Sequence, residues 1–368
     1  MKKFLSIALA LLMVCVMLPV VALADDTSLP APDANGVITL EKDVTLTSTW
    51  KITSDVTLDL NGKKLNIEIG KSGNAVEVNN NATLTVKDSA GNGEMALSEH
   101  GITLRDANMK LMSGTVSCTD DVIALVGDCN FTMTGGKLHG NGNSASCFNP
   151  GYWGTQVIDI RGGLVQCDST CTAVVGCGSV FMNMETTLDV TVSGDTVFGY
   201  GNIDLINGTE QGGENRTVSI GIKGGTFIGR DHLDDVEPYI SEDGLVVLDD
   251  ENIYVGDTAK TTVENATGGT FTVVSGNGNL TIKGGVTVKN DTNEPITVNG
   301  KEIPAEGSYT EPTNITIIVP GDTTPSEDTT PKTEDQKNPS TGANDFVGLA
   351  AAAAVVALLG SAVVLRKK

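Results

Sequence analysis

The sequence predicts an all-β solenoid, and three observations carry that expectation. First, Val56, Leu58 and Leu60 alternate with Thr57 and Asp59, the period-two pattern of a strand with one dry face and one wet face. Asn61-Gly62 then turns the chain, because both residues tolerate positive φ, and Leu65, Ile67 and Ile69 resume the alternation. Second, the 368 residues include 43 Gly and only 4% aromatics, so the core is aliphatic and the corners are numerous. Third, a Gly-containing landmark recurs between short strands, its last Gly standing at 114, 136, 163, 194 and 225, intervals of 22 to 31 residues. Repetition with variable insertions marks a solenoid whose loops lengthen on one side. No interval holds the 3.6-residue apolar period that a βα repeat requires.

In chain order, residues 1–24 read as a secretory signal peptide. Lys2-Lys3 precede an apolar run from Phe4 to Val21, and the small residues Ala22 and Ala24 place cleavage after Ala24. Residues 25–35 are a polar leader. The alternation assigns residues 36–290 to the coils, about ten of them at ~25 residues each. Within this span Asn79-Asn80-Asn81 is a corner, since Asn readily visits the left-handed region. Asp231 to Glu251, acidic and poor in apolar residues, reads as a long surface loop. Residues 291–319 form a β cap, in which Ile296 to Ile303 is a hairpin about Asn299-Gly300. Residues 320–337, rich in Thr, Pro and charge, are a disordered stalk.

Six cysteines follow the signal peptide, all between Cys118 and Cys177. Cys118 and Cys167 share a phase of the repeat two coils apart, so they are not expected to bond to each other. Cys147 is the thiol best placed to pair, with Cys129, Cys171 or Cys177 as candidates.

The C-terminal segment, residues 338–368, carries Asn338-Pro339-Ser340-Thr341-Gly342, a short polar spacer, an apolar run from Phe346 to Leu365 and Arg366-Lys367-Lys368. At ~1.5 Å per residue the run spans ~30 Å, a bilayer core, and the cations hold its end on the cytoplasmic side. This tripartite end resembles the cell-wall sorting signal of Gram-positive surface proteins. The resemblance implies that a sortase cleaves between Thr341 and Gly342 and joins Thr341 to peptidoglycan, with the membrane met only through the 346–365 helix before sorting. The protein is then expected on the extracellular surface, covalently attached to the wall. A net charge of −22, more negative still without the basic ends, excludes nucleic acid as a partner.

The DVTLDLNGK stretch and the Gly landmarks resemble the right-handed parallel β-helix of the pectate-lyase-like superfamily. Polygalacturonase-type hydrolases of that superfold carry an Asp pair and, one coil on, a Gly-His-Gly. The resemblance therefore offers Asp120, Asp121 and His139 as catalytic candidates, the paired carboxylates protonating the leaving oxygen and activating water. The match is partial. Leu138 replaces the first Gly, and the family's Asn-Thr-Asp and Arg-Ile-Lys are absent. The preferred expectation is binding without catalysis, by an adhesin or glycan-binding display module whose partner is a host or dietary glycan or a host protein. A polysaccharide hydrolase or lyase is the alternative, and a passive spacer the third. Tyr152 and Trp153 are the candidate glycan contacts, because sugar rings stack on aromatic faces. Asp231, Asp234, Asp235 and Glu237 are candidate Ca²⁺ ligands, yet they lack an EF-hand spacing; a solvated loop is expected there, and no cofactor.

Overall fold

The period-two segments form short strands, and each strand pairs in parallel with its equivalent on the next coil. The computed structural model describes residues 28–313, apart from 71–72, 99, 143–145, 151–152, 169–172, 177–184, 200–205, 208–215, 242 and 277. The described chain is mostly β, with parallel sheets stacked coil on coil, an arrangement consistent with a β-helix.

Three ladders run along the coils. The first joins Val37–Thr39, Val56–Asp59, Thr83–Lys87, Asn108–Leu111, Cys129–Met133, the first halves of Gly154–Cys167 and Thr186–Gly199, and Arg216–Ile222. The second joins Val44–Leu46, Lys64–Ile67, Glu94–Leu97, Thr115–Cys118, Lys137–Gly140, the second halves of the two long strands, and Gly224–Ile228. The third joins Trp50–Ile52, Asn74–Asn79, His100–Arg105, Ile123–Val126, Ser146–Asn149, Ala173–Gly176 and Ile206–Asn207.

Registration stacks like on like. Ile38, Leu58, Val86, Leu111, Met133, Ile160, Val192 and Ile222 form one inward column of the first ladder, each at most 5% exposed. Val44, Leu65, Met95, Val116, Leu138, Val165, Phe198 and Phe227 form the matching column of the second. At its end the Phe198 and Phe227 rings stack with centroids 5.1 Å apart. Burying each such side chain contributes about 1.5–3 kcal/mol.

Corners are stitched by side chains that reach across coils. Asn61 at φ 48° and Gly62 at φ 71° make the turn of the DVTLDLNGK stretch. Asn61 Nδ2 donates to the Leu40 carbonyl of the preceding coil at 3.0 Å, and the Gly62 N–H donates to Asp88 of the following one at 2.7 Å. Asp59 accepts from the N–H groups of Asn61 and Ser89, both at 3.0 Å. Burial alone raises its pKa, but the Ser89 donors and the Lys87 ammonium prevail and hold the carboxyl below its ordinary range. A second corner admits only glycine. Gly136 sits at φ 81°, and a Cβ there would stand 2.6 Å from the Gly114 carbonyl oxygen of the coil before.

Beyond Ile228 the pattern departs from expectation. The repeat predicts parallel register through residue 290 over about ten coils, whereas among the described residues the first and second ladders hold eight strands each. Gly224–Ile228 then pairs antiparallel with Asn252–Val255, which pairs antiparallel with Val246–Leu248. The segment expected as an acidic surface loop instead winds through the helical turns Arg230–His232, Leu233–Val236 and Glu237–Tyr239. Val236, fully buried in the coil core, anchors it, and the partly buried Leu233, Tyr239 and Ile240 pack against the same core. A helix, Gly256–Asn265, also stands where no helical period was visible. Its buried side chains are Ala259 and Val263, one turn apart, too few to print a periodic pattern. Gly269–Ser275 pairs in parallel with Val286–Asn290, and Ile296–Val298 with Lys301–Ile303 makes a hairpin about Asn299 and Gly300, both at positive φ. These elements enclose a second apolar cluster, which includes Val247, Phe271, Val286 and Ile296.

Column packing predicts a sharp contrast between adjacent residues. Leu111→Ala leaves a void between Val86 and Met133 and is expected to cost ~2–5 kcal/mol in urea unfolding. Lys110→Ala, on the wet face of the same strand, is expected to stay within about 0.5 kcal/mol of wild type.

Candidate functional site

The described histidines and their carboxylate partners on the coils gather on the middle coils, on the wet face of the second ladder and at the corner that follows it. Alternation sends Ala96, Ser117, His139 and Gln166 outward in one registered row, and Lys64, Glu94, Thr115 and Lys137 in the row beside it. Lys64 Nζ lies 3.1 Å from Glu94, and the Ser117 hydroxyl donates to the same carboxylate at 2.9 Å. Burial pushes the Glu94 pKa up, but the Ser117 hydrogen bond and the Lys64 charge outweigh it, leaving the carboxyl below its ordinary range. Burial lowers the pKa of Lys137, opposed by the charges of Asp168 and Glu94. His139 Nε2 lies 2.9 Å from Asp168 Oδ1, within hydrogen-bond distance.

At the corner, Asp120 and Asp121 face opposite neighbours. Asp120 Oδ2 lies 2.5 Å from His100 Nδ1, on the preceding coil. Asp121 turns to the following coil, where Oδ1 accepts from the Ser146 hydroxyl at 2.5 Å and Oδ2 accepts from Asn149 Nδ2. Burial first and the Asp121 charge second raise the Asp120 pKa, while His100 works against both. The amide oxygen of Asn149, Oδ1, is buried without a hydrogen-bond partner among the described residues. The hydrolase-like arrangement is thus not assembled as the sequence motif suggested: His139 bonds Asp168, and the Asp pair bonds His100, Ser146 and Asn149.

Trp153 is 42% exposed, and its carbonyl accepts from Gln156 Nε2 at 3.3 Å. Tyr152 lies outside the described residues. Asp231, Asp234, Asp235 and Glu237 fall in the helical turns, where Asp235 pairs with His232 at 3.0 Å. Among the described residues no group of three or more His, Cys, Asp or Glu is placed to hold a metal ion. Ala22, Ala24, the stalk, Asn338, Pro339, Ser340, Thr341, Gly342 and the 346–365 run lie outside the described residues. Among those described, no helix is long and apolar enough to cross a membrane.

Sequence reasoning missed His100, Glu94, Ser117, Lys137 and Asp168 as members of this face. Each is an ordinary polar residue on its own strand; only the loop lengths, which set coil register, bring them together.

Glu94 supplies a pH test. Its lowered folded pKa means that the Ser117 and Lys64 contacts stabilise fully above the ordinary carboxylate pKa, and that this stability is lost as pH falls through the lowered value. Ser117→Ala is therefore expected to flatten the acid limb of a plot of urea midpoint against pH, and to raise the Glu94 pKa read by carboxyl NMR. Comparison with family models, with curated proteins and with solved structures finds no match, so the functional reading rests on these residues and their geometry.

Proposed function

We propose that this chain is a surface protein of a Gram-positive cell wall whose coils, a right-handed parallel β-helix of the pectate-lyase-like kind, display a glycan-binding face in the manner of an adhesin. The observation that carries the reading is the polar face itself. Glu94, Ser117, His139 and Asp168 stand on successive coils, so hydrogen-bonding groups recur at ~4.8 Å along the stack. A ladder of this spacing suits a polymer that itself repeats, and the exposed Trp153 offers an aromatic surface on the same coils. Anchoring is read from Asn338 to Lys368: export through residues 1–24, cleavage after Thr341 by sortase, and transfer to peptidoglycan.

Hydrolysis is the second reading, and Asp120 favours it, because burial and the Asp121 charge raise its pKa, the direction in which a general acid is tuned. The opposed orientation of the two carboxylates favours binding.

A glycan array run beside a reducing-end assay on pectic and host polysaccharides separates these readings. Retention of a glycan without release of reducing ends is expected, and Trp153→Ala is expected to weaken retention about tenfold, the loss of ~1.4 kcal/mol. Reducing ends that appear with wild type and vanish with Asp120→Asn establish the hydrolase instead. For the anchor, Thr341→Ala is expected to leave the chain in the membrane fraction. Release of that variant from walls by muralytic enzymes at the wild-type level refutes sortase attachment.

A further inference from the structure

Beneath the polar face, and separate from it, two cysteines meet inside the coils. Cys147 is fully buried in the third-ladder strand Ser146–Asn149, and Cys167, 4% exposed, ends the strand Gly154–Cys167 one coil on. Their sulfurs lie 3.6 Å apart, in van der Waals contact.

The neighbouring thiols are placed otherwise. Cys118 stands opposite Gly140, and Gly140 opposite Cys167, so two coil rises of ~10 Å in all part the two cysteines, beyond the ~7 Å a disulfide spans. Burial also pushes the Cys118 thiol up to about 12. Cys129 aims its thiol at the carbonyls of Leu104 and Val126, at 3.4 and 3.3 Å.

We infer that Cys147 and Cys167 are the pair that this fold oxidises to a disulfide. The oxidant is itself a disulfide, either a small one such as glutathione disulfide or an oxidoreductase in its oxidised form. One cysteine thiolate attacks that disulfide, giving a mixed disulfide and releasing one oxidant thiol. The second cysteine thiolate attacks the protein sulfur of the mixed disulfide, forms the Cys147–Cys167 bond and releases the second oxidant thiol. Two protein thiols lose two electrons and two protons, and the oxidant gains both. Because both sulfurs end up buried, exchange belongs to folding, before the coils close, and the finished bond is shielded from reductant. The bond closes a segment that carries Trp153 and ties the third face of one coil to the second face of the next, so it fixes the edge of the polar face.

Peptide mapping of the full chain folded in a buffer of reduced and oxidised glutathione, with free thiols alkylated before digestion, tests the pairing. Trypsin cuts after Arg161 and an Asp-specific protease cuts before Asp168, so Cys167 is resolved from Cys171 and Cys177. The expected product links Cys147 to Cys167, and it is expected to persist in Cys171→Ser/Cys177→Ser. In Cys167→Ser, Cys147 is expected to be alkylated. Wild type refolded from denaturant in reductant is expected to unfold at a lower temperature than wild type folded in the glutathione buffer, whereas Cys147→Ser/Cys167→Ser is expected to unfold at the same temperature either way. Cys147 recovered alkylated from wild type, or linked to Cys118, Cys129, Cys171 or Cys177, overturns the inference.

Discussion

Parallel pairing in register sets one side chain above the next at every coil, and the rest of the molecule depends on that stacking. In the column that runs from Ile38 through Leu58, Val86 and Leu111 to Ile222, each aliphatic residue is covered above and below by another, so no single coil has a core of its own. Stability is then a sum over neighbouring coils, the one-dimensional logic of repeat proteins. A chain with only 4% aromatics can fold this way because a narrow interior is filled by Leu, Ile, Val and Met, with rings only at a few levels such as Phe131 against Phe148.

The same stacking explains the corners. A glycine column forms because each turn packs its backbone on the turn before, leaving no room for a Cβ at Gly136 or Gly163. Polar residues at the corners cannot face inward, so they donate and accept across coils, as Asn61, Asp59 and Asp88 do. Asp120 and Asp121 obey this rule too. Consecutive residues at a corner point to opposite neighbours, which draws one carboxylate to His100 and the other to Ser146 and Asn149. The corner geometry that stitches the stack therefore also gives the two carboxylates different hydrogen-bond partners.

Beyond Ile228 the uniform parallel order gives way to mixed pairing. Gly224–Ile228 accepts an antiparallel neighbour, and the helix Gly256–Asn265 packs beside it, contributing Ala259 and Val263 to the second apolar cluster. Covering the end of a parallel stack with turned-back strands and a helix satisfies backbone groups that another coil would otherwise pair.

Much of this was legible in the residues alone. Alternation in Val56 to Leu60, the Asn61-Gly62 turn and the recurring glycines specify strand, corner and repeat locally, because each depends on a residue's own backbone preference and its dry or wet face. Gly114, Gly136, Gly163, Gly194 and Gly225, the recurring landmark, all stand at positive φ. The acidic turns about Val236 and the two-residue face of the 256–265 helix were not legible, since one or two buried residues make no pattern. Nor were the partners of the polar face. Whether Ser117 meets Glu94, His139 meets Asp168 or Cys147 meets Cys167 depends on the register between coils, and that register is set jointly by loop lengths and by the packing of every column at once. The sequence by itself determined the coil; only the tertiary structure decided which residues of different coils touch, because contact across coils is a property of the stack and not of any one turn.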